Sequence, residues 1–190
     1  MSYNGHMTVL HEVAEEIGAH ERALRRGLSE GLLRGRRPSA RNLELAPGEI
    51  AYLRSHWPLL AALRQALRTE RNVRLAVLIG SAARGALRAD SDVDVLVELV
   101  DANWRCRDRL RARLARAAGR PVDLIAMAAA IEDPLLLDAV LREGRVLVDR
   151  DRRWTSLLAG RGRAARAAAR AADELRDELH ALIAELAQDA

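Results

Sequence analysis

Between Val73 and Asp149 the apolar pattern alternates between two periods. VRLAVLIG (Val73–Gly80) and VDVLVELV (Val93–Val100) are runs rich in β-branched residues and predict strands. NWRCRDRLRARLARAAG (Asn103–Gly119) is amphipathic at helical spacing, with Gly119 as its stop. PVDLIAM (Pro121–Met127) predicts a third strand, DPLLLDAVLREG (Asp133–Gly144) a helix with Pro134 in its first position, and RVLVD a short last strand. This alternation predicts a compact α/β unit with a mixed sheet of about four strands.

The segment ahead of this block is helical. In TVLHEVAEEIG (Thr8–Gly18), Thr8 can cap a short helix whose stripe is Val9, Leu10, Val13, Ala14 and Ile17. After a short turn, ERALRRGLSEG (Glu21–Gly31) predicts a second helix with Leu24 and Leu28 inward and Arg22, Arg25 and Arg26 outward. Two short helices joined in this way describe a helix-turn-helix. Leu32–Leu45 has apolar ends around a basic middle with Gly, Pro and Ser, the pattern of a hairpin or wing. A helix then starts at Pro47 and links the two halves, and Pro58 is expected to kink or split it. The tail, Trp154–Ala190, is rich in Ala, Arg and Glu and is strongly helix-forming. The expected fold class is α+β: an all-helical winged helix-turn-helix and linker (8–70), an α/β core (71–150) and a C-terminal helical tail (151–190). MSYNGHM, residues 1–7, has no periodicity and reads as an appended leader, with Met7 as the expected native start.

Composition adds less than pattern. The 190 residues contain 31 basic side chains, all arginine, and no phenylalanine, a bias that a GC-rich coding sequence would produce. The net charge of +4 is modest, but it is unevenly placed. Ala19–Arg41 holds seven arginines against two glutamates, and Arg152–Arg170 holds six arginines and no acid. Such local excesses attract phosphates or acidic partners, although the tail arginines also fit a plain solvated helix face. The single cysteine, Cys106, precludes an internal disulfide and fits a reducing, cytoplasmic setting. It lies on a helix among arginines and reads as a packing residue. No apolar run approaches the ~20 residues needed to span a bilayer.

The chemistry concentrates in GSAARGALRADSDVDVLV, Gly80–Val97. Residues i and i+2 of a strand share a face, so Asp92 and Asp94 project together while Val93, Val95 and Val97 point inward. Two carboxylates this close repel, and burial at a sheet edge increases the cost. One of three things must follow: one is protonated, an arginine stands between them, or a cation binds. Hard oxygen ligands on one strand suit magnesium. Asp123, at the start of the next predicted strand, joins them if the two strands are neighbours, and three carboxylates can hold two magnesium ions. Gly80 lets the backbone approach a ligand, the Ser81 hydroxyl and nearby amides can bind phosphate oxygens, and Arg84 adds a forked donor for a triphosphate. Asp90 reads as a loop or cap residue.

The whole pattern closely resembles the minimal nucleotidyltransferases of the DNA polymerase β superfamily. It consists of G-S-x-x-R-G, five residues, S-D-x-D on an apolar strand and a later V-D-L strand. The resemblance covers Val73 to about Val148. It implies that Gly80, Ser81 and Arg84 bind ATP as substrate, and that Asp92, Asp94 and Asp123 hold two magnesium ions and form the catalytic centre. The front module, HEVAEEIGAHERALRRGLSEGLL with its basic wing, resembles the winged helix-turn-helix of MerR-like regulators. It implies operator DNA contacts by Arg22, Arg25, Arg26, Arg34, Arg36, Arg37 and Arg41. The wing departs from that family in lacking its aromatic arginine-tyrosine segment.

Small proteins of this kind are often the antitoxin half of MNT–HEPN toxin–antitoxin pairs, and the resemblance therefore implies adenylylation of a tyrosine on a separate HEPN-like toxin, with DNA-binding autoregulation and a possible homodimer. A small-molecule (antibiotic) nucleotidyltransferase shares the motif but usually carries a larger acceptor domain. A DNA-binding regulator with an unused enzyme fold is the third reading, and the intact carboxylates speak against it.

Overall fold

The computed structural model describes residues 5–39 and 43–188. Its elements run, in chain order, α1 (Gly5–Glu16), α2 (Glu21–Glu30), α3 (Pro47–Arg68), β1 (Val73–Leu78), α4 (Gly80–Arg84), β2 (Val93–Leu99), α5 (Trp104–Ala118), β3 (Val122–Ala126), α6 (Met127–Glu132), α7 (Pro134–Glu143), β4 (Arg145–Asp149), α8 (Arg153–Ala159) and α9 (Arg161–Gln188).

The four strands form one mixed sheet in the order β3-β2-β1-β4. The central strand β1 pairs antiparallel with both β2 and β4, and β2 pairs parallel with β3. Alternation along β2 sorts its side chains between two cores. Val93, Val95 and Val97 join α1–α3 and α5 on one face, packing with Leu53, Leu63, Leu110 and Leu114. Leu96 faces the other side, where Met127, Val140, Leu141, Trp154 and Ala164 close over it. The first core is continuous from Leu10 in α1 to Leu147 in β4, so the front helices and the sheet share one apolar interior.

The front segment contains the expected helices and turn. Leu10, Val13, Ala14 and Leu24 are buried, and Gly31 ends α2 in the left-handed region. Helix α1 starts at Gly5, so residues 5–7 lie within it, three residues ahead of the expected start. Between α2 and α3 the described residues of the hairpin form one bridge, Arg36 to Glu44, closed by reciprocal backbone hydrogen bonds of 2.9 and 2.8 Å. Helix α3 is not split at Pro58: it runs unbroken through that residue for 22 residues. Pro58 lies on the exposed side, where water can satisfy the carbonyl it leaves free, while Leu53, Leu60, Leu63 and Leu67 anchor the opposite side.

Helix α5 is capped as its sequence suggests. The Asn103 side chain accepts from the Cys106 amide, and Gly119 ends it in the left-handed region. Cys106 is half-buried on this helix. Asp133 caps α7 by accepting from the amides of Leu135 and Leu136. The tail is two helices, broken at Gly160. The first turns of α9 bury Ala164 and Ala168, and the helix then runs on with Leu175, Leu179, Leu182, Ile183 and Leu186 about half or more exposed. Among the described residues no helix is long and apolar enough to cross a membrane.

Candidate active site

Strand β3 does lie beside β2, and the parallel register pairs Asp94 directly with Asp123. Partners in adjacent strands project to the same face, so the two carboxylates stand side by side at the N-terminal ends of their strands. Asp92 immediately precedes β2 and is exposed. Asp94 is half-buried and Asp123, on the edge strand, is exposed. Burial first, and then the negative charges of Asp123 and Asp92, hold the Asp94 carboxyl above its ordinary range; Arg84 pulls the other way.

The Gly80–Ser81 turn lies against the same carboxylate. Gly80 has φ +67°, where a side chain is strained, and a Cβ there would overlap Asp94 Oδ2 and lie 3.2 Å from its Cγ. The neighbouring Ile79 amide donates to the Asp94 carbonyl at 3.0 Å. Ser81 is half-buried in α4, one residue from the contact. Thus β1, α4, β2 and β3 bring Gly80, Ser81, Asp92, Asp94 and Asp123 to one end of the sheet. Asp90 lies in the exposed turn ahead of them.

Arg84, expected as a forked donor for a triphosphate, pairs with another side chain in this structure. Its Nη1 donates to Glu143 Oε2 on α7 at 3.1 Å. Arg142 also donates to Glu143, and the two guanidiniums hold that carboxyl below its usual range. The charge of Arg84 still reaches Asp94, but its hydrogen bond belongs to Glu143.

Among the described residues no three acidic, histidine or cysteine side chains stand close enough together to hold a metal ion as placed. The donor chemistry nevertheless fits a hard dication. Three carboxylates share one end of the sheet, and the one arginine that offsets Asp94 is already paired with Glu143.

The front arginines have mixed positions. Arg25 pairs with Glu21 at 3.3 Å and Arg26 with Glu30 at 2.6 Å, so the acids of α2 offset two of its three bases. Arg22, Arg26, Arg64 and Arg68 border a cleft of about 790 Å³ that also exposes Trp57. The Arg34 amide donates to Glu49 Oε1 at 3.0 Å and its side chain donates to the Glu143 carbonyl. Arg36 contributes its backbone to the hairpin bridge, and Arg37 is exposed in the hairpin. Arg41 lies outside the described residues.

Sequence reasoning passed over a buried cluster beside α4. Arg145, 2% exposed, forms a two-pronged ion pair with Glu49 at 2.6 and 2.9 Å, 96 residues away. The Tyr52 ring lies 3.4 Å from its Cζ. The only local signal was a charged residue opening the short strand RVLVD, and nothing near it in sequence indicates its partner.

Residues 62–153 match the family described as "Polymerase beta, Nucleotidyltransferase". The matched segment holds all four strands and α4–α7. This mixed sheet with its flanking helices is a nucleotidyltransferase core. Several solved structures are similar to the chain. One, a toxin–antitoxin with AMP-PNP, is 22% identical over 67% of this chain and 97% of its own, at a TM-score of 0.47. A mutant MntA-HpeT toxin–antitoxin is 21% identical over the same share of each chain, at 0.48. A structure of the tri-AMPylated Shewanella oneidensis HEPN toxin in complex with MNT antitoxin is 22% identical over 67% of this chain and 95% of its own, at 0.43. Comparison with curated proteins finds no match.

Proposed function

We propose that the chain is a magnesium-dependent nucleotidyltransferase that moves AMP from ATP to a hydroxyl on a partner protein, as the antitoxin of a toxin–antitoxin pair. The observation that carries this reading is the Asp94–Asp123 pair, two carboxylates set side by side against the Gly80 turn. Two like charges beside a half-buried strand end are costly in themselves and become useful when a dication and a triphosphate arrive together. Asp92, Asp94 and Asp123 would hold magnesium, which when bound offsets the triphosphate charge and increases the acidity of the acceptor hydroxyl.

The chain's own residues divide the remaining work. The Ser81 hydroxyl and neighbouring amides donate to triphosphate oxygens, and Gly80 leaves room for them. Asp123, exposed on the edge strand, faces the side from which an acceptor can approach and takes its proton. The acceptor oxygen bonds to the α-phosphorus, the bond from that phosphorus to the β-bridging oxygen breaks, and pyrophosphate leaves with the electron pair.

A tyrosine of a HEPN-like toxin is the acceptor that the sequence resemblance points to. The tail suits a protein partner. Arg161, Arg163, Arg166 and Arg170 are exposed on α9, and the apolar stripe from Leu175 to Leu186 continues beyond them. The exposed Arg22, Arg36 and Arg37 of the front segment supply phosphate contacts for operator binding, and hence autoregulation.

The test is to incubate the protein with ATP, magnesium and the product of the adjacent gene, then weigh both proteins by mass spectrometry. The proposal expects the partner to gain one or more AMP groups, and to gain none with Asp94→Ala. Transfer to a small hydroxylated antibiotic, and to no protein, would assign the small-molecule reaction instead.

A further inference from the structure

Helix α4 carries the Gly80–Ser81 turn yet has only five residues. A helix this short does not hold itself together, so tertiary contacts must set its position. Its N-terminal end rests on Asp94 through Gly80. Its C-terminal end has two supports from elsewhere in the chain. Tyr52 Oη donates to the Ala82 carbonyl at 3.1 Å, and Arg145 Nε donates to the Ala83 carbonyl at 2.8 Å. Ala82 and Ala83 are fully buried, so water cannot take over either bond. Gly85, which ends the helix at φ +82°, lies against the Tyr52 ring: a Cβ there would come 3.0 Å from Tyr52 Cδ2.

The supports are themselves fixed. Arg145 Nη1 and Nη2 donate to Glu49, and Nη1 also donates to the Leu32 carbonyl at 3.3 Å. Glu49 Oε1 accepts the Arg34 amide as well. Four of the five guanidinium N–H groups are thereby assigned, and the Tyr52 ring covers its face. A buried ion pair contributes little net stability over well-packed apolar side chains. What it supplies is direction, since a planar guanidinium held by Glu49 can point its Nε at only one place. Glu49 and Tyr52 sit on α3, and Leu32 and Arg34 just after α2, so the front segment provides this frame.

We infer that Glu49, Tyr52 and Arg145 are positioning residues for the nucleotide site. They hold the last turn of α4 and, through it, the placement of Gly80 and Ser81 against Asp94. Nucleotide binding at the sheet is therefore coupled to the integrity of the front segment. The nucleotide part of this inference rests on the reading above; the positioning part does not.

Tyr52→Phe tests it, because the ring stays and only the bond to Ala82 is lost. Hydrogen exchange is followed at the amides of residues 81–86 without nucleotide, and magnesium-ATP affinity is measured by calorimetry on the same samples. The expected result is five- to tenfold faster exchange at 81–86 with β1 and β2 amides unchanged, together with a several-fold weaker ATP affinity. Arg145→Lys is the second variant: it keeps a charge opposite Glu49 but loses the Nε–H to Ala83, and the same local acceleration is expected. Unchanged exchange at 81–86 in both variants, or acceleration spread evenly over the sheet, overturns the positioning role. If the wild type binds no ATP, the nucleotide reading fails while the exchange result still decides the positioning.

Discussion

Gly80 and Asp94 are in contact such that residue 80 has no room for a side chain. The left-handed backbone at Gly80 and the Asp94 carboxylate occupy the space a Cβ would need. Gly80→Ala therefore incurs both backbone strain, about 1–2 kcal/mol, and displacement of the carboxylate. The expected outcome is a folded protein of lower denaturation midpoint that no longer binds magnesium-ATP, with urea titration and calorimetry as the checks. Wild-type affinity in this variant would mean that Asp94 does not need its present position.

The raised carboxyl of Asp94 sets the sign of a stability effect. A group whose folded pKa lies above its unfolded value contributes stability below the unfolded value, near 3.9, and loses it as pH rises through the folded one. At neutral pH ionised Asp94 thus works against the metal-free fold, through burial and the charges of Asp123 and Asp92. Asp94→Asn should melt higher than wild type at pH 7 without metal, and the gap should close below about pH 3.9. Magnesium should raise the wild-type melting temperature more than that of the variant. An equal or lower melting temperature for Asp94→Asn at pH 7 would count against the crowding of charge.

The buried pair predicts a non-additive cycle. Arg145→Met alone strands Glu49 in the core and should cost about 3–5 kcal/mol. Glu49→Leu combined with Arg145→Met should recover much of that loss in urea unfolding, while the weaker hold on α4 persists. A double variant as unstable as the sum of the two singles would indicate that the bonds to Ala83 and Leu32, not the ion pair, dominate.

Most of the sheet was legible because its strands are short β-branched runs bounded by Gly, Pro and Asp, and Asp92 and Asp94 announced themselves by their spacing. The strand order was the missing step: Asp123 belongs with Asp94 only because β3 pairs beside β2, a non-local fact. Glu49 and Arg145 were illegible for the same reason, since their partnership spans 96 residues. Pro58 does not split α3 because its local penalty falls on an exposed helix face while buried leucines anchor the opposite side. Arg84 showed its type but not its partner, because Glu143 comes from a helix 59 residues on.

Operator binding through the front segment should depend strongly on salt, because phosphate contacts release counterions. Arg22→Ala, Arg36→Ala and Arg37→Ala together should weaken binding to DNA upstream of the gene and flatten the slope of log affinity against log salt by about 0.9 per lost contact. Fluorescence anisotropy at several salt concentrations measures both. Salt-independent or absent binding by the wild type would make the front segment a protein-contacting element.

The central claim is a metal-dependent triphosphate site at the ends of β1, β2 and β3. Calorimetric titration of ATP, with and without magnesium, into wild type and Asp92→Asn/Asp94→Asn tests it most directly. Removing two carboxylates lessens repulsion of a bare triphosphate, so a metal-free site would bind ATP more tightly in the variant. The account predicts the opposite: wild type binds ATP at least about tenfold more tightly with magnesium than without, and the double variant loses that gain. Equal or tighter magnesium-ATP binding by the variant would contradict it.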